Sequence, residues 1–271
     1  MVPPGATARH IPYDADINGI VASISSETGM LIINNPNNPA GRLYTRDEIE
    51  VLYAACHARG VYLLLDESYS DFAPTGTFAS LASVAPDFEG ALVINSLSKN
   101  LGVSGWRIGY LMGAREFVDN MLKLNQHLLT CAPTFLANYC ANHFDDMIAA
   151  TQPQIVALQQ KRDRVAKAID SRGLSVLAGA TTFYFFLSID GFVGTDIDFA
   201  QKMIVDDRIA VVPGSAYGAS TNRFVRISIG TESEDRIDRA LDAIRRQISI
   251  NDYDRHSYNA ALEKLIGQSL V

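Results

Sequence analysis

Chemically reactive side chains follow three short apolar runs in the first hundred residues of the chain. The first run leads into the segment Asn34–Gly41, the second into Asp66 and Tyr69, and the third into Asn95–Lys99. If the runs are parallel strands, their carboxyl ends share one edge of a sheet, which is where α/β proteins bind ligands. That edge would hold an amide, a carboxylate, a phenol, two hydroxyls and an amine. Each residue alone could be a turn or surface residue, but the combination predicts a functional site.

The elements that would position these residues follow from the pattern of apolar residues. The runs Met30–Ile33, Val61–Leu65 and Ala91–Ile94 do not alternate with polar residues. This pattern is typical of parallel strands that are buried on both faces. Between the first two runs, Thr45 and Glu48 have the spacing of a capping box that begins a helix. The sequence therefore predicts a βαβ unit, whose crossover is right-handed by the general rule.

The second half of the chain shows a different pattern of helices and strands. Helices are predicted at Glu116–Leu129, Gln154–Ser171, Asp198–Asp206 and Ser233–Ile248, and strands at Thr182–Ile189, Ile209–Val212 and Phe224–Ile229. The predicted fold class is α/β, with a mostly parallel sheet, flanking helices and a smaller α+β C-terminal domain. We predict a large ligand-binding domain over residues 1–150 and a small domain over residues 151–271.

Composition restricts the partners and the compartment that we expect. The chain has 271 residues and a formal net charge of −7, which argues against nucleic acid as a partner. Three cysteines without a C-x-x-C pair predict neither a disulfide framework nor a zinc site, and they favour a reducing cytoplasm. The start of the chain lacks the apolar segment of a signal peptide, and no apolar run approaches the roughly 20 residues of a membrane span. The histidines lack the spacing of metal ligands, so no metal site is expected.

Specific motifs relate the predicted edge to a known family. They are Asn38-Pro39-Ala40-Gly41, Asp66-Glu67-Ser68-Tyr69, Ser96-Leu97-Ser98-Lys99, Gly105-Trp106-Arg107-Ile108-Gly109 and Phe224-Val225-Arg226-Ile227-Ser228. In this order and spacing the chain resembles the pyridoxal-phosphate-dependent aminotransferases of fold type I, the class I/II aminotransferases. The first motif departs from the family's NPTG type, because an alanine stands in place of threonine.

The resemblance implies that the catalytic residues are Lys99, Asp66 and Tyr69. Lys99 would form a Schiff base with pyridoxal 5'-phosphate and later carry a proton between the substrate's α-carbon and the cofactor. Asp66 would pair with the pyridinium nitrogen and keep it protonated. Asn38 and Tyr69 would form hydrogen bonds to the phenolic oxygen of the ring.

The resemblance also implies residues for the phosphate and for the substrate. Ser96, Ser98 and Arg107 would hold the phosphate, the arginine through a charged contact. Arg226 would bind the α-carboxylate of the amino acid by a planar two-point pairing, with Asn38 as a second substrate contact. Ser68 would lie against the face of the ring.

Relatives of this family normally carry a substantial segment before the strand that leads to the Asn-Pro motif. The expectation is therefore a fragment, one piece of a split enzyme, or a naturally short homologue. A sheet shortened in this way would expose an edge and an apolar face. The expected partners are an amino acid and a keto acid, together with a second copy in a homodimer or a complementing N-terminal polypeptide.

Other functions compete with transamination on the sequence alone. The same fold hosts lyases and cyclases that use pyridoxal phosphate, and the motifs above do not separate them from aminotransferases. A truncated, non-catalytic subunit is a further alternative. An ATPase and a Rossmann dehydrogenase are poor alternatives, because neither G-x-x-x-x-G-K-[ST] nor G-x-G-x-x-G occurs in the chain.

Overall fold

The computed structural model describes residues 5–250 and 253–267, which divide into two compact units. The parallel-sheet unit consists of Ala15–Gln159 and Gly179–Thr182. The antiparallel-sheet unit takes in the described residues of Met1–Asp14, Gln160–Ala178 and Phe183–Val271. The domain boundary that the sequence predicts near residue 150 lies inside a long helix, Phe144–Ser171, and it stays a prediction.

The parallel-sheet unit is organised around one four-stranded sheet. Its strands are β1 (Met30–Asn34), β2 (Tyr62–Asp66), β3 (Ala91–Ser96) and β4 (Gly109–Gly113), in that spatial order. The first three strands are parallel and β4 runs antiparallel to β3. The helices of this unit are α1 (Ile17–Ser23), α2 (Arg46–His57), α3 (Leu97–Asn100), α4 (Arg115–Leu128), α5 (Thr134–Asn142) and the first part of α6 (Phe144–Ser171). The predicted α/β class with a mostly parallel sheet is confirmed.

Helix α2 shows why this sequence forms a crossover between β1 and β2. The hydroxyl of Thr45 accepts a hydrogen bond from the backbone of Glu48, and the Glu48 carboxylate accepts one from the backbone of Thr45. This reciprocal cap satisfies backbone donors that a helix start would otherwise leave unpaired. Ile49, Leu52 and Cys56 recur at helical spacing and are fully buried. The predicted helix between the first two strands is therefore confirmed.

The prediction that all three parallel strands are buried on both faces is wrong for β1 and β2. Leu31 and Ile33 of β1 are buried, whereas Ile32 is 64% exposed and Met30 is also exposed. In β2 the exposed residue is Tyr62. Alternate side chains of a strand point to opposite faces, and within the described residues the second face of these strands is covered only in part. Both sequence runs are nevertheless apolar throughout, because the side chains on the exposed faces of β1 and β2 are apolar as well.

The antiparallel-sheet unit contains three strands in the order β5 (Tyr184–Ser188), β7 (Phe224–Ser228) and β6 (Val212–Pro213). Its helices are the part of α6 from Gln160 on, α7 (Asp196–Lys202), α8 (Glu234–Ser249) and α9 (Arg255–Ile266). The strand predicted at Ile209–Val212 is misplaced. A π-helical turn over Met203–Asp207 follows α7, and Arg208 leaves it in the left-handed conformation. Pairing with β7 therefore begins only at Val212.

None of the helices within the described ranges is both long enough and apolar enough to cross a membrane.

A buried carboxylate on α7 connects this helix to the segment that begins α9. Asp198 has a side chain only 5% exposed, and it accepts hydrogen bonds from Arg255 at 2.6 and 2.8 Å and from the Tyr253 hydroxyl at 2.9 Å. It also accepts the backbone N–H of Thr195, in a second capping box. Burial favours the neutral acid, but the hydrogen bonds from Arg255, Thr195 and Tyr253 outweigh burial and hold the pKa of Asp198 well below its usual range.

We expect the stability of the protein to depend on this carboxylate at acid pH. A carboxyl whose pKa is lower in the folded state stabilises the fold above its unfolded pKa of about 3.9 and loses that contribution as the pH falls through the folded value. Arg255→Ala removes a main cause of the low pKa, so acid unfolding followed by circular dichroism should begin at higher pH. Arg239→Ala on α8 removes an equal charge from an exposed position and serves as the control. Equal pH midpoints of acid unfolding for Arg255→Ala and Arg239→Ala would contradict the prediction.

Candidate active site

The carboxyl ends of β1, β2 and β3 open into a cleft of about 430 Å³ in the parallel-sheet unit. Asn34, the last residue of β1, pairs in register with Asp66, the last residue of β2. The structure brings to this cleft all seven residues that the sequence suggests for the cofactor. The lining residues are Asn34, Asn38, Asp66, Ser68, Tyr69, Ser96, Ser98, Lys99, Ser104 and Arg107.

Lys99 lies on the short helix α3, which begins where β3 ends. The Ser96 hydroxyl caps this helix by accepting the Ser98 backbone N–H at 3.2 Å. Leu97 anchors the helix in a buried apolar cluster with Leu101. The lysine side chain is half-buried, and its Nζ lies 6.0 Å from the centroid of the Tyr69 ring. The turn from strand to helix thus presents a primary amine at the edge of the sheet.

Asp66 has one carboxylate oxygen fixed by the residue two positions later. Its Oδ1 accepts the backbone N–H of Ser68 at 3.0 Å and the Ser68 hydroxyl at 2.6 Å. The resemblance implies a position of Ser68 against the face of a ligand ring, and the structure adds its contact with Asp66. A carboxylate that accepts two local hydrogen bonds has a restricted orientation, which suits a group that must meet one atom of a ligand.

Asn38 and Tyr69 form a pair at the side of the cleft. The Asn38 amide nitrogen donates to the Tyr69 hydroxyl at 3.3 Å, and the tyrosine is buried. The turn that carries Asn38 is held within itself, since Asn37 accepts the backbone N–H groups of Ala40 and Gly41 through its side chain and its carbonyl respectively. Because the Asn38 amide and the Tyr69 hydroxyl lie side by side in the cleft, both can donate hydrogen bonds to the same ligand atom.

Arg107 occupies an unusual backbone conformation beside the cleft. Its φ of 57° and ψ of 44° lie in the left-handed region, which costs a residue other than glycine roughly 1 kcal/mol or more. One guanidinium nitrogen donates to the carbonyl of Ser104 at 3.0 Å. Residues held in this region cluster at ligand-binding sites. The strained turn places the positive charge of Arg107 at the cleft that Ser96 and Ser98 also line.

Arg226 belongs to the antiparallel-sheet unit, where it lies on the central strand β7. Its guanidinium carbon lies 4.2 Å from the ring centroid of Tyr184 and 5.4 Å from that of Tyr217. Burial raises the pKa of Tyr217, although the positive charge of Arg226 opposes that rise. The neighbouring Arg223 has a different environment, because it donates to the backbone carbonyls of the loop that follows β5.

Two residues of the cleft, Asn34 and Ser104, were not among the site residues that sequence reasoning selected. Asn34 donates through Nδ2 to the backbone carbonyl of Asp66 at 3.2 Å and accepts through Oδ1 the backbone N–H of Asn38 at 2.5 Å. Its position directly after the predicted strand Met30–Ile33 is the available signal. Ser104 lines the cleft next to Arg107 and carries no motif of its own.

Comparison with known proteins identifies relatives of this chain in sequence and in fold. A sequence model of the family described as "Aminotransferase class I and II" matches residues 4–244. An aspartate aminotransferase of Thermotoga maritima is 28% identical over 86% of this chain and 59% of its own length. The aromatic-amino-acid aminotransferase 2 of Thermococcus litoralis is 30% identical over 82% of this chain and 58% of its own length. The solved aromatic aminotransferase of Pyrococcus horikoshii superposes with a TM-score of 0.79 at 26% identity, covering 86% of this chain and 63% of that chain. The chain thus spans about 60% of the length of the curated relatives it matches.

Proposed function

The chain belongs to the class I and II aminotransferase family, and we propose that it carries the cofactor-binding site of an enzyme that moves an amino group from an α-amino acid to a keto acid. The cofactor in this proposal is pyridoxal 5'-phosphate, on which this family depends. The observation that supports the proposal most directly is the cleft in which Lys99, Asp66 and Arg107 come together.

The residues of the cleft suit this cofactor group by group. An amine can attach to its aldehyde, a carboxylate can pair with its ring nitrogen, and two hydroxyls with a guanidinium can hold its phosphate. The volume of about 430 Å³ lies in the range of small-molecule sites. When bound, pyridoxal phosphate supplies an aldehyde for the exchange of amines and a ring that takes up the electrons released at the substrate's α-carbon.

In this proposal Lys99 and Asp66 do the chemical work of the protein. Lys99 would hold the cofactor through Nζ, and the same amine would carry a proton from and to the substrate's α-carbon. Lys99 is half-buried in the cleft that Asp66 and Arg107 also line. Asp66 keeps the ring nitrogen protonated, and Ser68 holds the carboxylate in place for that task.

The remaining residues of the cleft bind and orient. Asn38 and Tyr69, already joined by a hydrogen bond, donate to the phenolic oxygen of the cofactor. Ser96, Ser98 and Arg107 bind the phosphate, the arginine as a charged donor.

Arg226 is the proposed contact for the substrate's α-carboxylate, with Asn38 as a second contact. The guanidinium of Arg226 lies beside the rings of Tyr184 and Tyr217, and its planar fork of donors suits two-point pairing with a carboxylate. The proposal keeps a large cofactor-binding domain over residues 1–150 and a small domain over residues 151–271 that carries this arginine. An amino acid with a free α-carboxylate is the expected substrate.

Covalent trapping of the cofactor tests the proposal on the chain as it exists. The protein is mixed with pyridoxal phosphate, freed of excess, and its visible spectrum is recorded before and after reduction with borohydride. We expect a yellow band that reduction converts into a stable adduct, which peptide mapping places on Lys99. Loss of the yellow band on adding an amino acid, with formation of the matching keto acid, would then separate transamination from elimination or cyclisation.

The decisive comparison is between wild type and Lys99→Ala. A band that forms equally in both proteins, or an adduct mapped to a surface lysine such as Lys167, would contradict the proposed site. The absence of any band in the wild-type chain would show that this chain alone does not bind the cofactor.

We also propose that the exposed apolar surfaces of the parallel-sheet unit bind another polypeptide, either a second copy of the chain or a complementing N-terminal polypeptide. Helix α4 buries none of its side chains within the described part of the chain, and Leu128 and Phe135 are 79% and 82% exposed. Ile32 of β1 adds a further apolar face. Large exposed apolar patches mark interaction sites. Sedimentation of purified protein that shows only a monomer, unaltered by Leu128→Glu, would exclude the homodimer.

The proposed compartment is the cytoplasm. Cys56, Cys131 and Cys140 are all free thiols, as a reducing compartment favours. Fractionation of cells that express the tagged protein tests this assignment, and recovery from an oxidising compartment would contradict it.

A further inference from the structure

Asn34 occupies a junction between two parts of the candidate site. It is the last residue of β1, half-buried, and it lines the cleft. Its side-chain amide makes two hydrogen bonds to two different backbone segments. Nδ2 donates to the carbonyl of Asp66 at 3.2 Å, and Oδ1 accepts the N–H of Asn38 at 2.5 Å. One segment is the end of β2, which carries Asp66, and the other is the turn after β1, which carries Asn38. Both residues are proposed cofactor contacts.

The chemistry of the two contacts requires an amide at this position. One partner is a carbonyl, which accepts the Asn34 amide in addition to the backbone N–H of Asn35 at 2.8 Å, while the other is an N–H that requires an acceptor, and an asparagine side chain offers both functions. An aspartate of the same shape would keep the acceptor but turn a negative oxygen towards the Asp66 carbonyl. An alanine would leave both backbone groups without this partner.

Asn35 and Asn37 of the same turn make local side-chain contacts, which distinguishes them from Asn34. Asn35 accepts the backbone N–H of Tyr44, and Asn37 accepts the backbone N–H of Ala40. Both contacts stay within the segment that follows β1. The Asn34 side chain instead reaches 32 positions along the chain to the end of β2.

We propose that Asn34 is a positioning residue that fixes the spacing between Asp66 and Asn38, so that both can contact one bound cofactor. The inference rests on the proposed function, since it assigns Asn34 to the same site. Asn34 acts through the two backbones and touches no reacting atom in this assignment. Small displacements of oriented groups have large effects on binding and catalysis. The two hydrogen bonds of Asn34 would limit such displacements of Asp66 and Asn38.

The first arm of the test is amide hydrogen exchange, resolved at single residues in the cofactor-free protein. Asn34→Ala should speed exchange at the Asn38 amide by about tenfold or more, because that N–H loses its acceptor. Asn34→Asp keeps the acceptor and should leave the Asn38 amide protected. Asn37→Ala is the matched control, since it removes an amide contact of the same turn but leaves the bridge intact.

The second arm is a double-mutant cycle on the dissociation constant of pyridoxal phosphate. Asn34→Ala should weaken binding by roughly tenfold in the wild-type background, as loss of a supporting contact typically does. In an Asn38→Ala background the same change should weaken binding much less, because part of its effect passes through Asn38. A residue that only stabilised the fold would lower the melting temperature and give equal losses in both backgrounds.

The two arms separate this inference from the proposed function. Unchanged exchange at Asn38 in Asn34→Ala would overturn the inference, and so would additive losses in the cycle. A wild-type chain that takes up no pyridoxal phosphate would contradict the proposed cofactor site, and the exchange arm alone would then decide whether the bridge exists.

Discussion

The Lys99→Ala variant is expected to lose at least about 10⁴-fold of the amino-transfer rate while its folding remains close to that of wild type. The loss is large because one side chain provides both the covalent attachment and the proton transfer, and residues that act in a chemical step at this level typically contribute that much. The fold should tolerate the change, since Lys99 forms no hydrogen bond or ion pair within the described residues and its helix is anchored by Leu97. Amino transfer from a panel of amino acids to 2-oxoglutarate, in protein saturated with pyridoxal phosphate, measures the effect.

Two further variants separate the amine from its charge. Lys99→Arg keeps a positive charge, but a guanidinium stays protonated and cannot replace the amine, so it should be as inactive as Lys99→Ala. Lys167→Ala removes an exposed lysine of α6 and should retain the wild-type rate. Partial recovery of Lys99→Ala with added methylamine would support the assigned role. A Lys99→Ala variant within tenfold of wild type would refute it.

The site could be predicted from the sequence because parallel strands order their ends. The apolar runs located β1, β2 and β3 to within a residue or two, and each polar segment that follows them lines the cleft. The predicted strand ends therefore place Asp66, Lys99 and Asn38 at one edge of the sheet. The prediction succeeds because each of these residues lies within five positions of a strand end along the chain.

Other features depend on rotamers, local turns and tertiary contacts, none of which the periodicity of apolar residues reports. The exposure of Ile32 depends on what covers the second face of β1, whereas the apolar run looks the same in either case. The short β6 depends on the left-handed turn at Arg208. The hydrogen bond from Ser68 to Asp66 depends on a rotamer, and the bridge from Asn34 depends on the register between β1 and β2. The apolar pattern of the sequence determines the strands and helices, whereas these features also depend on how individual residues and neighbouring elements contact one another.

Gly179 is a further case, and we expect Gly179→Ala to lower the free energy of unfolding by about 3 kcal/mol. A Cβ atom at this position would lie 2.1 Å from the carbonyl oxygen of Ala40 and 2.5 Å from the carbonyl carbon of Gly41. Both neighbours are backbone atoms of the turn that carries Asn38, so a rotamer change cannot relieve the overlap. Urea unfolding at equilibrium measures the loss.

The contacts beside Gly179 explain why the chain cannot simply move away. Thr181 is fully buried, and its hydroxyl and backbone N–H donate to the Gly41 carbonyl at 2.8 and 3.3 Å. Moving the segment by the ångström or more that a methyl group requires would break these bonds and leave a buried carbonyl unsatisfied, which itself costs about 1–3 kcal/mol. The segment and the turn therefore hold each other in place.

Gly29→Ala is the matched control, because a Cβ at Gly29 would have no heavy atom within 4 Å and its backbone is not left-handed. We expect this variant to unfold within about 0.5 kcal/mol of wild type, as most exposed substitutions do. Because Asn38 lies on the displaced turn, Gly179→Ala should also weaken binding of pyridoxal phosphate under conditions in which the protein is still folded. Equal stability of the two variants would mean that the turn yields to Gly179→Ala without cost, and Asn38 would then owe its position to β1 and β2 alone.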